Sequence, residues 1–230
     1  MKTVLIDSST EILLVAIHSA TSSTFRQTKT GLNHAQKILE DLQVLLEETG
    51  TTPEELSGIG CCLGPGSFTG LRIGLCTAKG LAEGWKIPLF GLDSLRAMAE
   101  AAALAQPTEQ YFLPVIDARK GRFYGQLFHK TQPRTEPLDF TPEEFLRWHH
   151  ESVVLCGYQP QLLKARLEEL QKWPPGWKLC EGWNDQQGAT WAEALTHQVS
   201  TPEVLGQGES LGPFTGPRYL RPSEAEESKS

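Results

Sequence analysis

The order of apolar and polar residues predicts alternating strands and helices. Two apolar runs at residues 4–7 and 12–17 are separated by a short polar stretch, which is typical of a β-hairpin. Residues 35–48 place apolar side chains at helical spacing with acidic ones opposite, which predicts an amphipathic helix. The same reasoning predicts strands at 25–30, 59–63 and 87–91, a short helix opening at 52–55, and longer helices at 71–83 and 94–105.

The chain beyond residue 107 repeats this layout. A strand at 112–117 again ends in aspartate, a polar turn follows at 118–121, and a second strand is predicted at 122–128. The remaining predicted elements are a helix opening at 141–144, a strand at 153–157 and helices at 162–170 and 191–199. Two similar α/β halves, each with a mixed sheet and flanking helices, are the layout of the duplicated actin-like (ASKHA-type) fold.

The repeat also predicts where the chain divides. We expect a first subdomain over residues 1–106 and a second over residues 107–222, with a last helix that packs back on the first. Residues 223–230 are polar and charged, a composition that favours disorder.

Composition narrows the classes of function. The 230 residues carry a formal net charge of -7 and no basic run, so the chain is not expected to be a main binder of nucleic acid. No apolar stretch is long enough for a membrane span, and the N-terminus reads as a strand rather than a signal peptide, which predicts a cytoplasmic protein. The five cysteines lack CxxC spacing and lie mostly in apolar runs, as expected for buried free thiols rather than a zinc site.

A glycine-rich segment at residues 64–70 joins the strand at 59–63 to the next helix. Free backbone N–H groups and the helix dipole at such a turn can bind an anion. A Walker A loop requires lysine after its last glycine, whereas Leu71 follows Gly70 here. We therefore interpret the turn as structural, with phosphate binding as the alternative.

Small residues recur every four positions in the helix after this turn, and they line one face: Gly70, Gly74, Ala78 and Ala82. Small side chains let another backbone approach closely. A glycine inside a helix costs about 1 kcal/mol relative to alanine, so Gly74, Gly80 and Gly84 require a packing reason. The spacing leaves open whether the close neighbour belongs to this chain or to another.

The first hairpin carries a candidate nucleotide loop. In nucleotide-binding proteins of the predicted fold, an Asp-x-Gly-Thr-type hairpin approaches the phosphates. Here Asp7, Ser8 and Ser9 occupy the corresponding turn, and Ser9 stands where a glycine would let the backbone approach. Asp117 ends the matching strand of the second half. Asp7 and Asp117 are candidate magnesium ligands of a vestigial nucleotide loop, or they end strands and cap turns.

Other catalytic chemistry is not indicated. The six histidines form neither His-x-x-x-His nor His-Glu-x-x-His, which argues against a metal centre. The segment at 66–70 lacks the Gly-x-Ser-x-Gly spacing of a nucleophile elbow, and Ser67 and Thr69 have no base nearby in sequence. We therefore predict no catalytic residue, no metal and no cofactor.

Four segments together resemble the TsaB (YeaZ) family of bacterial tRNA threonylcarbamoyladenosine biosynthesis proteins. They lie at residues 4–9, 64–74, 117–121 and 217–221 and follow the same order as in that family. The Gly-Pro-Gly-Ser-Phe-Thr-Gly-Leu-Arg stretch at 64–72 is specific, whereas residues 131–207 show little resemblance.

The resemblance implies an actin-like scaffold that is a non-catalytic paralogue of the transferase TsaD. TsaD carries a metal-binding His-x-x-x-His, and the matching stretch here, residues 91–98, contains no histidine. The implied partners are a TsaD-type catalytic subunit and a TsaE-type ATPase, with tRNA reached only through the complex and a homodimer as a second use of the same surface. An actin-like ATPase or nucleotide-binding module, or a glycoprotease-like peptidase, remain the alternatives.

The resemblance places the partner surface on the helices of the first half. These are the helix at 35–48 and the helix with the small-residue face at 70–82. The predicted interface residues are Ile38, Leu42, Leu45, Gly70, Leu71, Gly74, Leu75, Ala78 and Ala82. We predict that Gly74→Leu disrupts the complex, because a large side chain blocks close approach.

Overall fold

The computed structural model describes residues 2–19, 22–29, 34–147, 152–180, 191–195 and 215–220. The first half contains, in chain order, β1 (Lys2–Asp7), β2 (Ile12–His18), β3 (Ser23–Lys29), α1 (His34–Thr49), a 3-10 turn (Pro53–Glu55), β4 (Leu56–Cys62), α2 (Phe68–Trp85), β5 (Leu89–Leu92) and α3 (Ser94–Ala105). None of the described helices combines the length and apolar character needed to cross a bilayer.

The second half is built from shorter strands. Its elements are β6 (Tyr111–Asp117), β7 (Phe123–Gly125), β8 (Phe128–His129), β9 (Gln132–Pro133), β10 (Leu138–Phe140), a 3-10 helix (Pro142–Arg147), β11 (Val154–Tyr158), α4 (Pro160–Glu169) and β12 (Lys178–Leu179). Residues 191–195 of the predicted last helix are helical. The rest of that helix and the predicted tail at 223–230 lie outside the described residues.

The two sheets have the same topology. The strand order of the first sheet is β3-β2-β1-β4-β5, and the main path of the second is β10-β7-β6-β11-β12. The opening strand of each half pairs antiparallel with the next strand and parallel with the strand that follows a crossover. Each sheet is therefore mixed, as predicted, because a hairpin gives an antiparallel pair and a crossover gives a parallel one.

Both faces of β1 and β2 are buried, which explains their continuous apolar runs, whereas the edge strand β3 is polar and partly exposed. On one face, Val4 and Ile6 pack with the inner sides of α1 and α2. On the other face, Leu5 and Leu14 join a cluster that includes α3, Phe112 of the second sheet and Trp191. The two halves thus share one hydrophobic core, and α3 lies within it.

The predicted strand at 122–128 is interrupted in the structure. Gln126 and Leu127 separate β7 from β8, and both bond to Thr135 instead of continuing the ladder. The Gln126 amide donates to the Thr135 carbonyl at 2.6 Å, and the Leu127 N–H donates to the Thr135 hydroxyl at 3.1 Å. Because alternation of side chains does not register this local competition, the sequence predicted one strand instead of two.

Candidate functional site

The turn of the first hairpin lies in the protein interior. Asp7, Ser8 and Ser9 have no exposed surface, and Thr10 is almost completely buried. Oδ1 of Asp7 accepts the backbone N–H of Ser9 at 2.8 Å, which closes an Asx-type turn. The position that a nucleotide phosphate would approach is therefore covered by the protein's own atoms.

The glycine-rich turn covers this hairpin. The backbone N–H of Ser67 donates to the carbonyl of Ser9 at 2.6 Å, and the Ser8 hydroxyl donates to the carbonyl of Gly70 at 2.9 Å. A side chain at Gly66 would collide with the Ser9 backbone, and one at Gly70 would collide with the Ser8 carbonyl. The glycines allow one loop of the chain to seat on another, which supports the structural interpretation of the turn.

The charge state of Asp7 follows from its burial. Loss of solvent raises the pKa of Asp7 above its ordinary 3.8, although the backbone N–H of Ser9 and the nearby side chains of Ser9, Cys62 and Trp191 lower it in part. The Trp191 side chain comes from the helical residues 191–195, so the end of the second half closes over the first hairpin. A carboxyl that resists ionisation and lies out of reach of solvent is poorly suited to hold magnesium.

The matching hairpin of the second half is open. Oδ1 of Asp117 accepts the backbone N–H of Arg119 at 2.8 Å, which repeats the turn of the first hairpin. Arg119, Lys120 and Gly121 are exposed, and all three have left-handed backbone torsions. This loop presents two cationic side chains at the surface, where its counterpart presents none.

Side chains from the two halves meet beside these hairpins. The Tyr158 hydroxyl donates to Oε2 of Glu11 at 3.4 Å, and a guanidinium nitrogen of Arg119 lies 3.8 Å from Oε1 of the same carboxylate. Burial, followed by the charge of Glu11, raises the pKa of Tyr158 to about 12. Tyr158 therefore remains a neutral hydrogen-bond donor at physiological pH.

The small-residue face of α2 points into the protein, so the predicted interface must be corrected. Every member is buried within the chain: Ile38, Leu42, Leu45, Gly70, Leu71, Gly74, Leu75, Ala78 and Ala82. A side chain at Gly74 would collide with the Ser8 hydroxyl, which identifies the close neighbour as the first hairpin. The chain's own atoms already cover most of their surface, which argues against direct contact of these residues with a second chain.

The outer side of α2 carries a second set of small residues. We call Ile73, Cys76, Gly80 and Gly84 the open ridge. Cys76, Gly80 and Gly84 are exposed and Ile73 is half-buried. An added Cβ at Gly80 or Gly84 would have no atom within 4 Å, so no contact within the described chain explains these glycines. The spacing of four between Cys76, Gly80 and Gly84 is visible in the sequence, but the resemblance to the family indicated the opposite face, with Gly70 and Gly74, as the partner surface.

The cysteines also lie partly in the interior and partly on the surface. Cys61, Cys62, Cys156 and Cys180 are buried, as predicted, whereas Cys76 is exposed on the open ridge. Burial raises the pKa of Cys61 and that of Cys62 above the ordinary value, so both thiols are inert. Within the described ranges, no group of three His, Cys, Asp or Glu side chains is arranged to hold a metal ion.

Comparison of the sequence with known proteins finds relatives that cover most of this chain. The family model "TsaD: tRNA N6-adenosine threonylcarbamoyltransferase" matches residues 21–150. The tRNA threonylcarbamoyladenosine biosynthesis protein TsaB of Escherichia coli is 29% identical over 170 residues, which span 74% of this chain and 68% of the relative. TsaB of Haemophilus influenzae is 32% identical over 179 residues, which span 75% of this chain and 71% of the relative.

A solved structure agrees in fold. A Pseudomonas aeruginosa protein described as similar to peptidase YEAZ superposes with a TM-score of 0.74 at 20% identity, covering 96% of this chain and 99% of that chain. This likeness confirms the predicted duplicated actin-like α/β fold.

Proposed function

The chain belongs to the TsaB (YeaZ) family of tRNA threonylcarbamoyladenosine biosynthesis proteins, and from this premise we propose that it is a non-catalytic scaffold that binds a TsaD-type transferase. The observation that carries the proposal is the open ridge of α2. Among the residues that the structure describes, nothing packs on two glycines there, although each costs about 1 kcal/mol relative to alanine in a helix. A partner helix that packs closely against them accounts for that cost.

The burial of the first hairpin supports the proposal that this chain does not catalyse the reaction itself. An actin-like ATPase needs its first hairpin to reach the phosphates, whereas Asp7, Ser8 and Ser9 are covered by the glycine-rich turn and by Trp191. A nucleotide-binding module is the competing proposal. Equilibrium titration of the lone chain with ATP and magnesium decides between them, and micromolar affinity would favour the competing proposal.

The remaining partners follow from the same proposal. A TsaE-type ATPase joins the complex, and tRNA is reached through the transferase because this chain carries a net charge of -7. The open ridge also provides a surface on which two copies of the chain form a homodimer when the transferase is absent. The complex acts in the cytoplasm.

A matched pair of substitutions at Gly80 tests the ridge. Gly80→Leu places a bulky side chain at the proposed contact, and Gly80→Ala adds only a methyl group. Both replacements raise helix propensity, so neither variant is expected to unfold. The measurement is light scattering after size exclusion, together with titration of the TsaD-type protein from the same cell into each variant.

We expect Gly80→Leu to weaken binding at least about tenfold, whereas Gly80→Ala stays within about threefold of the unaltered chain. Cys76 offers an independent measurement, since it is exposed on the same ridge. The transferase should slow alkylation of Cys76 by a maleimide. Separate elution of the two unaltered proteins, or equal binding by both Gly80 variants, would contradict the proposal.

A further inference from the structure

Residues 215–220, which we call the strap, return from the second half and lie along α2. The ammonium group of Lys79 donates to the Thr215 carbonyl at 2.7 Å, and Nε of Arg72 donates to the Tyr219 hydroxyl at 2.8 Å. Lys79 and Arg72 are two turns apart on one side of the helix, a rise of about 10 Å. Four extended residues cover a similar length, so the strap runs antiparallel to α2.

The strap also contacts the start of α2. The Tyr219 ring stacks on Phe68 with a centroid distance of 4.7 Å and an interplanar angle of 28°. The guanidinium carbon of Arg72 lies 3.9 Å from the centroid of the Phe68 ring. These three side chains form one cluster that joins the strap to the first two turns of the helix.

Two further contacts attach the strap to the neighbouring loops. The backbone N–H of Arg218 donates to the carbonyl of Leu63 at 2.7 Å, and its carbonyl occupies the space beside Gly64. The Arg218 guanidinium lies 3.8 Å from Oδ2 of Asp93, the residue that caps α3. The strap therefore reaches the end of β4, the glycine-rich turn and the start of α3.

A helix of this composition needs such support. Four glycines lie within α2, and each lowers helix propensity by about 1 kcal/mol relative to alanine. Its inner side packs on the first hairpin, while the open ridge makes no compensating contact at Gly80 or Gly84 within the described chain. Both cationic residues of α2, Arg72 and Lys79, donate hydrogen bonds to the strap.

We propose that the strap holds α2 in the geometry that its open ridge needs to bind the transferase, with Tyr219 as the positioning residue. This inference rests on the proposed function. Tyr219 supplies both the ring that stacks on Phe68 and the oxygen that accepts from Arg72, so its side chain joins two consecutive turns of α2. Helix contacts of this kind modulate binding at a neighbouring surface without touching the partner.

The test compares Tyr219→Ala with Tyr219→Phe in the full chain. Alanine removes the ring and the hydroxyl, whereas phenylalanine keeps the ring. The control is Leu162→Ala on α4, since Leu162 is 44% exposed and Tyr219 is 39% exposed. Two quantities are measured: amide hydrogen exchange of α2 in the lone chain, and the Kd for the TsaD-type protein.

For Tyr219→Ala we expect amides of α2 to exchange at least about tenfold faster and the Kd to rise about tenfold. Tyr219→Phe should show a smaller change in both quantities, and Leu162→Ala no change in either. A weaker Kd with unaltered exchange would mean that Tyr219 contacts the partner directly and would overturn the positioning role. Faster exchange with an unaltered Kd would overturn the link to binding.

The two proposals fail in different ways. If the unaltered chain does not bind the transferase, the proposed function is wrong, and with it the part of this inference that concerns binding. Exchange in the lone chain still decides whether the strap holds α2. Unaltered exchange in Tyr219→Ala would reject that part on its own.

Discussion

The hairpins that open the two halves share a turn and differ in burial. In each, Oδ1 of the strand-ending aspartate accepts the backbone N–H two residues later at 2.8 Å. Asp7 is completely buried, whereas the tip of the second hairpin is exposed and carries Arg119 and Lys120. The local turn is therefore the same, and the surroundings decide what each aspartate can do.

The difference originates in what packs on each hairpin. The glycine-rich turn and the first part of α2 seat directly on the first hairpin through Ser67 and Gly70. At the second hairpin, Arg119 lies 3.8 Å from Glu11 of the first half, and Tyr158 donates to the same carboxylate, while Arg119 and Lys120 stay exposed. The two turns are equivalent, and close packing around the first one removes its aspartate from the solvent that an incoming ligand would have to cross.

The largest expected effect comes from a substitution at Gly74, where α2 packs against Ser8 of the first hairpin. The leucine of Gly74→Leu would collide with Ser8, so we expect the free energy of unfolding to fall by about 3 kcal/mol. Urea denaturation followed by circular dichroism measures this loss. Gly80→Leu, on the open ridge of the same helix, should leave the stability unchanged or slightly higher. A stable Gly74→Leu variant would show that α2 does not pack tightly against Ser8 at this position.

This result changes the use of Gly74→Leu as a test of partner binding. Because the substitution damages the first hairpin, loss of the complex in this variant would not distinguish a blocked interface from a disturbed fold. The Gly80 pair avoids this ambiguity.

A medium effect is expected from removing the ionisable group at Asp7. The pKa of Asp7 is raised in the folded chain, so the unfolded chain releases this proton first as the pH rises above 3.8. The free energy of unfolding of the unaltered protein therefore falls as the pH rises, until the pH reaches the folded-state pKa of Asp7. The total loss is about 1.4 kcal/mol for each unit by which the folded-state pKa exceeds the unfolded-state pKa. In Asp7→Asn this contribution is absent.

Unfolding of both proteins between about pH 4 and pH 7 checks the direction of this effect. The stability of Asp7→Asn relative to the unaltered chain should rise as the pH increases above 3.8, until the folded-state pKa of Asp7 is reached. A difference in the free energy of unfolding that stays constant with pH would mean that Asp7 ionises as readily in the folded chain as in the unfolded chain. The first hairpin would then again be a candidate ligand site.

The smallest effect is expected at the second hairpin. Asp117→Asn keeps an oxygen that accepts the Arg119 N–H, and the turn borders exposed residues. We expect the free energy of unfolding to change by no more than about 0.5 kcal/mol. Denaturation under the same conditions as for Asp7→Asn gives the direct comparison, and a loss as large as that from a core substitution would show that the two hairpins are more alike than their burial indicates.

Much of the architecture was determined by the sequence alone. The repeated pattern of strand, aspartate, turn and strand predicted both hairpins, and α1, α2 and α3 lie close to their predicted ranges. These features depend on local spacing and turn chemistry, which a short stretch of chain carries by itself. The segment at 64–72 was specific enough to indicate the family.

Only the tertiary structure decided which residues face solvent. Two sets of small residues share α2, and the packing of the first hairpin turned Gly70 and Gly74 inward and left Gly80 and Gly84 outside. Contact of Arg72 with Tyr219 joins positions 147 residues apart, a distance over which no periodicity operates. Burial of Asp7 likewise depends on Ser67 and Trp191, which come from distant elements. Spacing along the chain determines the elements, whereas contacts between distant segments determine which of their faces remain available to bind.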